Sequence, residues 1–170
     1  MARSNRDEEY TAYVTTRLLW LRRVAYLLCQ DWDRADDLVQ VAITRLYVQW
    51  RRAAAVENID GYARTVLVRV FLAEQRMAWW RRVSVVREPP ETAAVATDHA
   101  AEMDLRVALA ALPPRQRAAV VLRHYCDLSV EQTAEVLNCS TGTVKSQTAR
   151  GLAALRRALR PAGVSVEGES

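Results

Sequence analysis

Apolar side chains recur at three- and four-residue steps along residues 8–28, at Tyr10, Val14, Leu18, Leu21, Ala25 and Leu28. That period gathers them on one stripe of an amphipathic helix. The same rhythm returns over residues 34–50, where Val39, Ile43, Leu46 and Trp50 form the stripe and Leu38, Ala42 and Tyr47 widen it enough to pack on two neighbours. After Arg51-Arg52 and an Ala-rich connection, Asn58 or Asp60 can cap a third helix with an inner stripe of Tyr62, Val66, Val70, Ala73, Met77 and Trp80. Three such helices make one small bundle.

Between Val83 and about Ala100 the period disappears, Pro89-Pro90 stiffens the chain, and Glu88, Glu91 and Asp98 outnumber Arg87. An interdomain linker is predicted there. Leu105, Leu109 and Leu112 resume the helical pattern, Pro113-Pro114 breaks it, and Pro114 suits the first turn of a helix ending near 125–127. Next, Ser129-Val130-Glu131-Gln132 fits a capping box ahead of Val130, Ala134 and Leu137. Asn138-Cys139-Ser140 can turn the chain sharply, and a longer helix then carries Val144, Thr148, Gly151, Leu155 and Leu159 inward. The predicted fold class is therefore all-α, in two small helical domains: an N-terminal bundle over 1–82, a flexible linker over 83–100, and a C-terminal helix-turn-helix domain over 101–160. Residues 161–170 read as a frayed tail.

Composition agrees with helices and narrows the function. In 170 residues there are only 5 Gly and 5 Pro, too few for the turns of an all-β fold. The net charge is +4, and Lys145 is the one lysine among 24 basic residues. No apolar run is long enough to span a bilayer, and the first residues lack the apolar core of a signal peptide, so a cytoplasmic protein without membrane insertion is expected. Cys29, Cys126 and Cys139 have no paired spacing and read as small buried hydrophobes.

The charges are distributed in faces. At 100° per residue, Lys145, Ser146, Ala149, Arg150, Ala153, Arg156, Arg157 and Arg160 lie opposite the inward stripe of the last helix, and no acid occurs from Thr141 to Arg160. On the second helix of a helix-turn-helix such a face suits the major groove, its N-terminal residues reading bases and its later arginines meeting phosphate; the alternative is a merely solvated basic face. Arg64, Arg69, Arg76, Arg81 and Arg82 form a second basic tract against Asp60 and Glu74. Trp79-Trp80 beside it could stack on an unpaired base, but Trp80 falls on the inner stripe, which favours core packing. Asp31, Asp33, Asp36 and Asp37 surround the start of the second helix, where they either oppose its dipole or dock to a basic protein surface.

Several of these segments resemble one family. Asp36-Asp37-Leu38-Val39-Gln40, Leu112-Pro113-Pro114-Arg115-Gln116-Arg117, and Ser129 to Leu137 followed by Gly142-Thr143-Val144-Lys145-Ser146 are similar to bacterial RNA polymerase sigma factors of the sigma-70 superfamily, extracytoplasmic-function type, as found in actinobacteria. The resemblance spans about 7–160. It implies an initiation factor whose first domain binds core RNA polymerase and opens the −10 element while the second holds the −35 element of promoter DNA, with an anti-sigma factor as a further partner. It places Asp36, Asp37, Leu38 and Gln40 against the polymerase clamp helices. The loop from Arg51 to Ile59, with Asn58, Arg64, Val66, Arg69 and Arg76, would take the −10 strand, and Lys145, Ser146, Ala149, Arg150, Arg156 and Arg157 the −35 duplex. Val41 stands where the family commonly has an acid, and Arg69 where it often has Asn; the second departure leaves the identity of the −10 base open.

Competing readings are weaker in chemistry. His124, Cys126 and Cys139, with His99 in the linker, lack the ligand number and spacing of a zinc site, so no metal, cofactor or enzymatic activity is expected. A ligand-sensing helix-turn-helix regulator would share the basic last helix. It would not need both a basic tract at Arg64–Arg82 and an acidic patch at Asp31–Asp37.

Overall fold

The computed structural model describes residues 1–84 and 100–160. Most of the segment read as a linker, the tail and His99 therefore lie outside the described residues. Within them every regular element is helical. The first half holds α1 (Ala2–Cys29), α2 (Trp32–Val48), the short α3 (Trp50–Ala55) and α4 (Ile59–Ser84). The second holds α5 (Ala100–Ala111), α6 (Pro114–Val120) continuing into a π-helical turn at Val121–Tyr125, then α7 (Val130–Leu137) and α8 (Thr141–Ala158).

Local chemistry sets the boundaries. Asp31 accepts from the amides of Asp33 and Arg34 and so starts α2, which accounts for one of the four clustered acids by capping. Asn58 rather than Asp60 caps α4, its Oδ1 accepting from the Gly61 amide at 2.9 Å. Asp60 instead accepts the Tyr13 hydroxyl and pairs with Arg17. Burial first, then the bond to that carboxylate, raises the Tyr13 pKa well above its ordinary value. The Ala-rich connection is itself half helical: Trp50 and Ala53 are buried, and alanine's high helix propensity lets six residues coil around that anchor.

The bundle core joins Leu21, Val24 and Leu28 of α1, Leu38 and Leu46 of α2, and Leu67 and Phe71 of α4. On α4 the buried positions are Ala63, Leu67, Val68, Val70, Phe71 and Leu72, one step off the expected stripe for much of its length. Met77 and Trp80, expected inside, are 56% and 60% exposed. Periodicity continues a stripe as long as apolar residues recur, whereas burial needs neighbours on every side, and beyond Leu72 α4 shares only an open groove with Arg34, Val41 and Arg45 of α2. Burial on α4 ends at Leu72, and its last three turns run on beyond the bundle core.

The two halves meet. α4 packs on α6 and α7, while α1 packs on α5, α6 and the π-helical turn. Ala118, Ala119, Leu122, Leu128, Val136 and Leu137 belong to the same apolar core as the first bundle. Beside it, between the end of α1 and the α5–α6 corner, lies Arg117, only 8% exposed. Its Nε donates to Leu109 O at 2.8 Å, Nη2 to Ala110 O at 3.1 Å and Leu112 O at 2.8 Å, and Nη1 across the halves to Leu28 O at 2.6 Å. Burial pushes its pKa down to about 10, which leaves it charged at neutral pH. Removing a charged donor strands those carbonyls away from water. Arg117→Met, which keeps much of the volume, should therefore lower stability by about 2–4 kcal/mol in urea unfolding; a loss below about 0.5 kcal/mol would mean that water replaces the guanidinium without cost.

Candidate nucleic-acid interface

The capping box read from sequence is formed on both sides. Ser129 Oγ accepts from the Gln132 amide at 3.0 Å, and Gln132 Oε1 from the Ser129 amide at 2.9 Å. α7 ends at Asn138, whose φ of 52° is left-handed, a conformation asparagine tolerates better than other non-glycine residues. The Cys139 amide returns to Ala134 O, closing the turn. Ser140 then caps α8 through the Thr143 amide at 3.1 Å. Two caps and one left-handed residue thus fix the angle between α7 and α8.

Packing decides which face of α8 turns outward. Val144, Gly151 and Leu155 are buried, against α6 and α5 among others. Lys145, Ser146, Ala149, Arg150, Ala153, Arg156, Arg157 and Arg160 are all exposed, the set expected from the helical wheel. Leu159, expected inward, is 42% exposed, because α8 outlasts its neighbours. The exposed face therefore carries five cations and no acid.

The acidic face lies on the other half. Asp36, Asp37, Gln40 and Val41 are exposed on α2. Leu38, expected on the polymerase-facing surface, is instead a core residue at 1% exposure, because it points between α1 and α4. Asp36 accepts from Arg22 Nε at 2.6 Å, and the Arg22 guanidinium sits over Trp32, which stacks on Tyr26. That small platform holds one carboxylate in place while Asp37 stays open to solvent.

The residues assigned to the −10 strand are not gathered on one free surface. Asn58 is the α4 cap, and Val66 is half-buried against the shared core. Arg64 is half-buried near Trp20, its Nε without a hydrogen-bond partner. Arg69 donates to Val136 O at 3.3 Å and Glu135 O at 3.1 Å, at the end of α7. Arg76 is exposed. Sequence reasoning gave no role to Arg115, which donates to Leu137 O at 2.6 Å, or to Arg117. An arginine flanked by the buried run Ala118–Leu122 was the available signal for Arg117.

Burial raises the thiol pKa values of Cys29 and Cys126, against the activation that a nucleophile requires. His124 is exposed, and no group of three metal-binding side chains occurs among the described residues.

Fold and surfaces together define a helix-turn-helix protein with a cationic second helix and a separate acidic face on an N-terminal bundle. Residues 102–155 match the family described as Sigma-70, region 4. The chain is 38% identical over 157 residues to RNA polymerase sigma-E factor of Streptomyces avermitilis, across 89% of this chain and 85% of that protein. It is 30% identical over 141 residues to RNA polymerase sigma factor SigV of Bacillus subtilis, across 79% and 81%. The chain belongs to the extracytoplasmic-function RNA polymerase sigma factors. Its fold is that of the Bartonella quintana sigma factor RpoE, solved in complex with the anti-sigma factor NepR, with a TM-score of 0.75 at 24% identity over 89% of this chain and 97% of that one.

Gly151 positions the cationic face of α8. A Cβ there would stand 2.7 Å from Val120 Cγ2, on a stiff β-branched side chain, and 3.4 Å from Gln116 O. Gly151→Val should therefore push α8 off α6 and destabilise by about 2 kcal/mol or more, despite removing a helical glycine. Thermal unfolding followed by circular dichroism checks it; an unchanged midpoint would show that α6 and α8 separate freely.

Proposed function

We propose that this sigma factor binds core RNA polymerase through the exposed carboxylates of α2, holds the −35 element with α8, and helps open promoter DNA at the −10 element. One observation carries the reading: a single chain presents a capped helix-turn-helix with an acid-free cationic face on α8 and an exposed acidic face on α2. Residues 1–82 would serve the polymerase and the −10 element, and residues 101–160 the −35 element. Such a factor directs another enzyme and carries no catalysis of its own. It would work in the cytoplasm, in response to a stress or environmental signal, with an anti-sigma factor as a second protein partner. No described helix is long and apolar enough to cross a membrane.

The reading assigns Asp36, Asp37 and Gln40 to the clamp helices, where carboxylates meet a basic surface. Run-off transcription with core polymerase on a panel of genomic promoters tests it directly. Asp36→Arg combined with Asp37→Arg should abolish holoenzyme formation and leave helical content unchanged. Co-elution of the double variant with core polymerase at wild-type affinity would refute the assignment.

On α8, position along the helix separates base from phosphate contacts. Arg150 lies nearer the N-terminal end, and Arg157 is about two turns further on. Arg150→Ala should cost about 1–3 kcal/mol on the preferred −35 duplex and little on a scrambled one. Arg157→Ala should weaken both alike and reduce the salt slope by roughly one unit. Fluorescence anisotropy at several salt concentrations reads both, and equal losses on the two duplexes for Arg150→Ala would leave α8 as a non-specific basic face.

A further inference from the structure

Asp36 and Asp37 are neighbours in sequence, yet one residue along a helix turns a side chain by about 100°, so the two carboxylates do not share a face. Asp33, Gln40, Val41 and Thr44 stand at helical spacing from Asp37, and all four are exposed. Asp37 therefore lies at the middle of the outward face of α2. Asp36, also exposed, is turned the other way, with Trp32 one turn before it, and bonds to Arg22 of α1.

That bond is better built than an ordinary surface ion pair, which contributes little. Arg22 donates from Nε to one carboxylate oxygen at 2.6 Å and from Nη2 to the other at 3.3 Å, the forked arrangement that matches a guanidinium to a carboxylate. The guanidinium also lies over the Trp32 ring, 4.5 Å from its centroid, and that ring stacks on Tyr26 at 4.0 Å and 11°. Arg22 and Tyr26 stand one turn apart on α1 and both meet Trp32. An arginine already ordered by stacking loses little further freedom in holding a carboxylate.

We propose that Arg22 is a positioning residue that withholds Asp36 from core polymerase, so that Asp37 meets the basic surface while Asp36 is kept by the fold. The inference rests on the reading that α2 docks core polymerase. A carboxylate paired at close range has most of its charge offset, and a basic surface gains less from it than from Asp37. Arg22 thereby holds the affinity of the factor below what two free carboxylates would supply. Breaking the pair takes one contact from the fold and returns one charge to the interface.

The test titrates the full chain with core polymerase, by fluorescence anisotropy at two salt concentrations. Arg22→Met keeps an apolar stem over Trp32 but removes the charge and the fork. It should bind about threefold more tightly than wild type, with a steeper loss on adding salt. Arg22→Gln repeats the comparison should the Met variant fail to fold, which circular dichroism reports. Two controls separate pairing from overall charge. The gain should disappear when Asp36→Asn is already present, and Arg23→Met, which removes an exposed cation one residue along, should gain less. A gain that survives Asp36→Asn, or that Arg23→Met matches, overturns the role of Arg22, as does equal or weaker binding by folded Arg22→Met. Asp37→Asn should weaken binding about tenfold, and more than Asp36→Asn does. Wild-type affinity for Asp37→Asn would remove the docking of α2 itself; a loss there without the Arg22→Met gain would remove only the positioning role.

Discussion

A guanidinium taken out of water must find acceptors, and Arg117 finds four of them at the ends of two helices. The need arises from the chain itself. Proline has no amide proton, so Pro113 and Pro114 cannot donate to Leu109 O and Ala110 O as the next residues of a helix would. α5 therefore stops with Ala110 O lacking a backbone donor and with only the Leu112 amide on Leu109 O, at 3.1 Å. Arg117, one turn into α6, folds back to fill them and reaches Leu28 O at the end of α1 with its remaining donor. Each partner alone would be costly to bury: the cation for its charge, the carbonyls for their lone pairs. Together they fix the α5–α6 corner against α1, and with it the platform on which α7 and α8 rest.

Elements governed by neighbours in sequence were legible before any coordinates. The exposed face of α8 was legible from its helical period, while the capping box at Ser129 and Gln132 and the turn at Asn138 to Ser140 follow from contacts within five residues. Their chemistry is complete inside the helix or its cap. The acidic patch at Asp36 and Asp37 was legible for the same reason, although Leu38 next to them turned inward, since one residue along a helix rotates the side chain by about 100°.

What was not legible depends on where other helices end. The sequence of α4 continues an apolar period through Met77 and Trp80, yet nothing in that period says that burial ends at Leu72. The Ala-rich segment reads as a connection until Trp50 is seen to be buried and to hold α3 in place. Arg64 and Arg69 look like free cations in any local reading. Their partners lie on elements far away in sequence, and no pattern within α4 announces them.

The arginines of this chain therefore divide by what they can reach rather than by residue type. Arg117, Arg115 and Arg69 each bond to the last carbonyls of a helix, and those bonds are short-ranged and directional. Arg150, Arg156 and Arg157 face solvent, where attraction to phosphate is long-ranged and screened within about 10 Å at moderate salt. Raising ionic strength should weaken the second group's contacts and leave the first nearly untouched. A chain built this way can lose its hold on DNA without losing its fold. Arg69 belongs to the first group by its bonds and to the second by its exposure, so a side chain open to solvent still holds the end of α7 from the other half of the chain.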